Sequence, residues 1–262
     1  MANKRKYSFE ITNPDKMFFP KEEITKKDVI DYYGKISKIF LRHSTDRPTV
    51  MQVFPDGIKE DGFYRKEVPD YFPSWIDTVR VSKKEEGDTE RLVVVNKKSV
   101  LQYITEKGCI TPHLWLSKKE HLSKPDKIIF DLDPPGRDFK SVVEAALALK
   151  EILSEVGLTP FVKTTGSKGV HVETPIMLEH RFKKVRGFAE EVSKALSERF
   201  SDKFTTEHRK KKRKGRVFLD YLRNAYAQTA VAPYAIRAIK GAPIATPIEW
   251  SELKQVGPRT YN

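Results

Sequence analysis

The run IIFDLDPPG at 128–136 constrains this chain more than any other stretch. Its apolar half reads as a short strand, and Pro134 and Pro135 lack the N–H that a ladder needs, so the chain must leave the sheet there. Asp131 and Asp133 stand two apart, so both carboxylates leave one face of the strand near its exposed end. Side-by-side carboxylates repel, and either a raised pKa or a bound cation must compensate. Asp220 lies in a second strand-like run, VFLDYL at 217–222, and completes a cluster if the two strands are neighbours. Three carboxylates with no nearby cysteine suit hard, oxygen-seeking cations, Mg²⁺ or Mn²⁺. Two such ions serve phosphoryl transfer by activating a hydroxyl and stabilising the leaving group. Two acids beside prolines also commonly cap a turn, so this motif alone does not decide.

A second motif bears on the same chemistry. In TTGSKGVH, 164–171, the glycines permit close backbone approach to an anion, Thr165 and Ser167 offer hydroxyls, and Lys168 offers charge. His171 on the following strand can donate to a phosphate oxygen. The pattern is not GxxxxGK[ST], and an ordinary glycine hairpin turn is the competing reading. Arg223 and Arg237 add cations after Asp220, with surface salt bridges as the alternative.

The rest of the chain alternates helix and strand signals. TKKDVIDYYGKISKIFLR, 25–42, is predicted as a helix capped by Thr25, with Val29, Tyr32, Tyr33, Ile36 and Ile39 inward. A strand is predicted over 49–54, closed by a turn at Pro55-Asp56-Gly57. Segment 82–92 is polar enough for an exposed loop or hairpin tip. A helix over about 139–156 buries Val142, Val143, Ala146, Leu149, Leu153 and Val156, and Gly157 stands where a C-cap belongs. Strands at 161–165 and 170–174 flank the turn 166–169, and a third helix over 183–200 turns Phe188, Val192 and Leu196 inward. The tail 241–253, rich in proline and alanine, is expected to wrap the surface. These elements describe a mixed α/β (α+β) molecule, with its chemistry on strand ends and no repeat or linker dividing it.

Composition narrows the setting. The 262 residues suffice for one large domain or two small lobes. No run of about 18 apolar residues predicts a membrane span, and MANKRKYSFEITNP lacks the apolar stretch of a secretory signal. One cysteine, Cys109, excludes an internal disulfide and a CxxC zinc site, which favours a reducing, cytoplasmic setting. The net charge of +13, from 49 Lys+Arg against 36 Asp+Glu, favours polyanionic partners, though a merely basic soluble protein has the same sum. Seven of the nine residues in 208–216, HRKKKRKGR, are Lys or Arg. Beside the third carboxylate strand they suit a mobile arm for a DNA backbone; a solvated charge run, or a nuclear-targeting signal, is the alternative.

FDLDPP (130–135), KTTGSKGVHV (163–172), FLDYLRNAYAQTAVAPYAIRA (218–238) and ATPIEW (245–250) occur in that order. NPDKMFFP (13–20), PDGIKEDGFYRKEVPDYFPSWI (55–76) and GCITPHLW (108–115) precede them. Together they resemble the polymerase domain of bacterial ATP-dependent DNA ligase D and its stand-alone archaeal counterparts, within the archaeo-eukaryotic primase superfamily. The resemblance implies a primase-polymerase catalytic fold, with central sheets flanked by helices around an active-site cleft. It implies a single catalytic domain over 1–262, with a DNA- and 5′-phosphate-binding part over about 1–80 and a catalytic core over about 95–250.

Carried over by position, the resemblance implies that Asp131, Asp133 and Asp220 hold two catalytic ions, Mn²⁺ or Mg²⁺. His113, Thr165, Ser167, Lys168, His171 and Arg237 would line the nucleotide. Phe63 and Tyr64 would meet the template, and Asn13, Lys16 and Lys26 would grip a downstream 5′-phosphate. Arg209, Lys212, Arg213 and Arg216 would follow the DNA backbone, and segment 82–92 matches a loop that helps align two DNA ends. Departures are Thr165 for a frequent serine, Val53 for a usual arginine and Thr111 for a common glutamate. The implied function is repair polymerisation in non-homologous end joining, using NTP or dNTP with ribonucleotides favoured, beside Ku and a separate ligase, in a nucleoid-associated setting. The rival readings are a replicative-type primase subunit, which commonly needs a zinc element, a non-catalytic DNA-end-binding module, and a carboxylate-metal nuclease.

Overall fold

The computed structural model describes residues 9–82 and 88–262. The chain opens with the pair β1 (Met17–Phe19) and β2 (Ile24–Thr25), then α1 (Lys26–Ser44), β3 (Pro48–Val53), β4 (Phe63–Arg65), β5 (Thr78–Ser82) and β6 (Thr89–Val94). It continues through α2 (Lys98–Glu106), β7 (Cys109–Trp115), β8 (Lys127–Asp133), α3 (Phe139–Glu155), β9 (Phe161–Thr164) and β10 (Val170–Pro175). The last elements are α4 (Phe182–Arg199), β11 (Phe204–Thr205), β12 (Val217–Asp220), β13 (Thr229–Val231) and β14 (Pro247–Ile248).

Two sheets carry the molecule. One runs β13-β7-β3-β6-β5, with β4 also paired to β3; the other runs β11-β12-β8-β10-β9-β14. Helices α1 and α2 cover the first, through Val29, Tyr33, Phe40, Leu101 and Ile104 against Met51, Ile110 and Leu114. Helices α3 and α4 cover the second, through Val142, Leu149, Val185 and Leu196 against Phe130, Leu132, Val172 and Leu219. Alternation along β8 decides what its other face carries: with Phe130 and Leu132 under the helices, Asp131 and Asp133 must point away from them. The Lys163 ammonium donates to the Val231 carbonyl at 2.7 Å and so ties β9 to β13, one sheet to the other.

Each predicted helix and strand forms, with differences in which residues face inward. Thr25 caps α1 in a reciprocal box: its side chain accepts from the Asp28 N–H at 3.1 Å, and the Asp28 carboxylate accepts from the Thr25 N–H at 2.9 Å. Ile30, Ser37 and Phe40 are buried rather than Ile36 and Ile39, which are half-buried. Tyr32 is also half-buried, because its hydroxyl reaches out to the Tyr234 carbonyl at 2.8 Å. Val156 lies one residue past α3 and is 54% exposed, and Gly157 N–H closes the end on Ser154. In α4, Phe182, Val185 and Ala189 take the inward place expected of Phe188.

Of the two readings of 82–92, loop or hairpin tip, the hairpin holds: residues 82 and 89–92 belong to the arms of the β5–β6 hairpin, with Leu92 fully buried rather than exposed; 83–87 lie outside the described residues. Two further expectations change. Strand β12 ends at Asp220, since the Asp220 carboxylate accepts the Leu222 N–H at 2.8 Å and turns the chain. The tail does not merely wrap the surface: Ala242, Ala245 and Leu253 are buried and β14 extends the second sheet beside β9.

Candidate active site

The cleft between the sheets is built on one row of side chains. Asp220 on β12 lies directly opposite Asp131 on β8, Asp131 opposite His171 on β10, and His171 opposite Lys163 on β9. Directly opposed residues point to the same face of a sheet, so register alone brings two acids and two bases into line. Asp133 stands on that face two residues further along β8, where the chain turns out at Pro134. A cavity of about 410 Å³ lies over Asp131, Asp133 and His171, with Tyr64, His113, Lys168, Arg223 and Arg237 on its other sides; Asp220 and Lys163 flank it outside the lining.

The three carboxylates are not equivalent. Burial acts to raise Asp131, but His171 Nε2 at 3.4 Å, then Arg223 and Lys163, outweigh it and hold its pKa at about 2. Asp133 is pushed up, first by burial and then by the charge of Asp131, with Arg213 4.0 Å away in partial opposition. Asp220 is also pushed up, chiefly by burial and despite Arg223. The Arg223 Nε lies 3.4 Å from Asp131 and 3.6 Å from Asp220, so this guanidinium bridges the opposed pair. Among the described residues, no three His, Cys, Asp or Glu side chains converge closely enough to hold an ion as they stand.

The loop 166–169, between β9 and β10, continues the carboxylate wall. Gly166 takes a φ of +64°, and a Cβ there would meet the Arg237 side chain at 2.7 Å. A Cβ on Gly169 would lie 1.9 Å from the Leu132 carbonyl oxygen, so only glycine lets this loop close onto β8. The Thr165 hydroxyl is spent inside the loop: it donates to the Gly169 carbonyl at 3.0 Å and accepts from the Ser167 and Gly169 N–H groups at 3.3 Å. Thr165 therefore shapes the loop, while the exposed Lys168 ammonium projects from it into the cleft. Arg237 approaches the Thr165 carbonyl at 3.4 Å.

His113 enters from β7. It is buried, its Nε2 has no hydrogen-bond partner, and Tyr64 meets it edge-on at 5.4 Å. Burial, and then the charge of Arg237, push its pKa down to about 3. A neutral imidazole with an unsatisfied nitrogen at a polar cleft is poised to hydrogen-bond a ligand. Tyr64 on β4 lines the cleft, and Phe63, its neighbour on the strand's other face, lies outside the lining; they are 56% and 44% exposed.

The remaining sites divide into two surface groups. Asn13, Lys16 and Lys26 come together where the Lys26 N–H bonds the Lys16 carbonyl and the Lys16 N–H bonds the Asn13 carbonyl. Lys16 pairs with Asp56 at 2.7 Å on the surface. Lys26 is only 6% exposed, held by Glu106 at 3.1 Å and the Thr12 carbonyl at 2.8 Å. In the basic loop, Arg213 lies 3.8 Å over the Phe218 ring and donates to the carbonyls of Glu207 and His208. Arg216 donates to the carbonyls of Arg213 and Ser201. Arg209 and Lys212 are the more outward members, and they frame a turn at Lys210–Lys212.

A sequence profile for the LigD primase-polymerase domain matches residues 25–262. The chain belongs to this family. Among curated relatives, the multifunctional non-homologous end joining protein LigD of Mycolicibacterium smegmatis is 28% identical over 93% of this chain and 32% of its own length. The bifunctional non-homologous end joining protein LigD of Bacillus subtilis is 30% identical over 94% of this chain and 39% of its own length. The chain thus spans about a third of the length of the curated relatives it matches. Among solved structures, the polymerase domain from Mycobacterium tuberculosis Ligase D in complex with DNA matches with a TM-score of 0.87 at 26% identity. That match covers 94% of this chain and 88% of the other. The expected primase-polymerase fold is therefore the observed one.

Two departures from the LigD primase-polymerase pattern now have local explanations. Val53 is buried in the first core and paired opposite Phe63, so position 53 supplies packing and no charge. Thr111 is buried and its hydroxyl donates to the Ile236 carbonyl at 2.7 Å while accepting the Ala238 N–H at 3.2 Å. It thereby anchors the segment bearing Arg237. Sequence reading passed over Glu173, which receives Lys163 at 2.9 Å and Lys127 at 3.0 Å beneath the row. The available signal was parity: Glu173 is two residues from His171 on one strand and shares its face.

Proposed function

We propose that this chain is a template-directed nucleotidyltransferase that fills gaps at broken DNA ends in non-homologous end joining, with a preference for ribonucleotides. The observation that carries this reading is the register that sets Asp220 directly opposite Asp131, with Asp133 on the same face. Asp131, Asp133 and Asp220 would hold two divalent ions, Mn²⁺ or Mg²⁺. An all-oxygen donor set fits such hard cations, and so do the burial and, after it, the charge of Asp131 that push Asp133 and Asp220 up. Bound there, the ions supply an activated 3′-hydroxyl and stabilisation of the leaving pyrophosphate.

The chain's own groups do the positioning. Lys168 and the backbone of the glycine loop meet the phosphates, with Thr165 holding that loop and Ser167 and His171 beside it. Arg237 adds charge on the same side, and the His113 Nε2 offers its hydrogen-bonding position toward the nucleotide. Arg223, which balances Asp131 and Asp220, can turn toward a phosphate within the same cleft. Phe63 and Tyr64 offer faces for the templating base. Asn13, Lys16 and Lys26 mark the downstream 5′-phosphate, with Lys16 the exchangeable cation and Lys26 braced by Glu106. Arg209, Lys212, Arg213 and Arg216 follow the DNA backbone. Ku and a separate ligase are the proposed partners, drawn from the end-joining names of the relatives.

The test is single-nucleotide gap filling with Mn²⁺ on a 5′-phosphorylated substrate. Asp131→Ala should reduce extension by several orders of magnitude while gapped-DNA affinity is kept or increased, because a repulsive charge near the backbone is gone. Unchanged extension would remove the catalytic assignment, and strand cleavage by the wild type would instead support a nuclease.

A further inference from the structure

A line of contacting aromatic and charged side chains runs from β4, beside the cleft, toward the Lys16 and Lys26 corner. It starts at Phe63, over which the Arg65 guanidinium lies at 5.2 Å. Arg65 Nη1 then donates to the Tyr71 hydroxyl at 3.2 Å. The Tyr71 ring has Lys107 Nζ 6.0 Å from its centroid, and Lys107 pairs with Glu106 at 2.9 Å. Glu106 is the carboxylate that holds Lys26. Each link is a direct contact between neighbours, so the line is continuous from one proposed DNA site to the other.

Tyr71 is the unexplained member. It is 61% exposed, whereas Phe72, the next residue, is buried edge-on against Tyr103 at 5.2 Å. Its ring is tilted against Phe72 at 5.4 Å, its hydroxyl is held by Arg65, and Lys107 stands 6.0 Å from its centroid, so its position is restrained although most of it faces water. A ring so held has little orientational freedom left to lose on binding a flat partner. Exposed aromatics flanked by cations are how single-stranded nucleic acid is held: bases stack, and the cations meet the phosphates between them.

We infer that Tyr71, with Arg65 and Lys107, forms a stacking site for an unpaired template-strand nucleotide lying between the templating base and the downstream duplex. This rests on the gap-filling reading, and it makes a claim of its own: affinity should depend on gap length. A nick has no unpaired nucleotide to occupy Tyr71, while a gap of a few nucleotides has.

The experiment uses 5′-phosphorylated duplexes that carry either a nick or a three-nucleotide gap, with 2-aminopurine at the unpaired template position next to the downstream duplex. Wild-type protein should quench the probe in the gap. Tyr71→Leu should abolish that quenching and weaken gap binding about five- to hundredfold, with nick binding unchanged within about twofold. Tyr71→Phe should keep the quenching, because it keeps the ring. A thermal melt of Tyr71→Leu matching the wild type excludes a folding defect. Equal quenching by Tyr71→Leu and wild type, or an unquenched wild-type complex, overturns the inference. Gap filling by the wild type is scored separately: stacking without incorporation would defeat the proposed function and leave the stacking site standing.

Discussion

Asp131, Asp133 and Asp220 share a side chain and differ in what surrounds it. Asp131 sits between His171 and Arg223 and is held low, whereas Asp133 and Asp220 are pushed up by burial and by charges of their own sign. A carboxyl raised in the folded state binds its proton more tightly there than in the unfolded chain. Its contribution therefore favours folding at low pH and is lost as pH rises through the raised value. At neutral pH the ion-free protein thus carries a penalty at Asp220. Asp220→Asn, which still accepts the Leu222 N–H, should raise the Tm of EDTA-treated protein by about 2–4 °C at pH 7. That gain should vanish near pH 3.5, where the wild-type carboxyl is protonated as well. Equal Tm changes at both pH values would show that charge is not the cause. At this scale the sequence was legible for the acids, since spacing by two fixes their face. It was not legible for Arg223 as the bridge between them, because nothing local in LRNAY specifies which carboxylates a guanidinium will meet.

At the scale of elements, side-chain chemistry announced the start of α1 better than it announced that helix's inward face, while α2 and α4 begin with no side-chain cap. Thr25 and Asp28 form the capping box that begins α1, and both are visible in TKKD. Thr25→Ala should cost about 1 kcal/mol in urea unfolding, and Thr25→Ser should recover most of it. Loss of stability in neither variant would mean that packing of Tyr33 and Phe40 alone sets the start of the helix. The inward face was misjudged because apolar residues flank the true stripe on both sides. Phe40 and Tyr33 fill the core, while Tyr32 turns to satisfy its hydroxyl. The glycine loop shows the same limit: TTGSKG indicated a turn built for an anion, but only the fold reveals that Thr165 is used up inside it and that Gly169 lies against Leu132.

Across the whole molecule, what sequence could not specify was the meeting of distant segments. The edge strand β14 spans two residues and has no periodicity to detect, yet it pairs with β9 beside the row. Thr111 holds the Arg237 segment from a strand more than a hundred residues earlier, and Lys163 fastens one sheet to the other through Val231. Such contacts give the cleft its two walls: carboxylates and glycine loop from the second sheet, His113 and the aromatics from the first. No helix among the described residues is long and apolar enough to cross a membrane. The assembly is that of the LigD primase-polymerase domain, and what remains open to experiment is whether its acids gather metal. Anomalous scattering from crystals grown with Mn²⁺, gapped DNA and a non-hydrolysable nucleotide measures this directly. The expected result is two Mn²⁺ peaks bounded by Asp131, Asp133 and Asp220, with Arg223 withdrawn from between Asp131 and Asp220. Peaks confined to other surfaces, with Arg223 still bridging those two carboxylates, would contradict it.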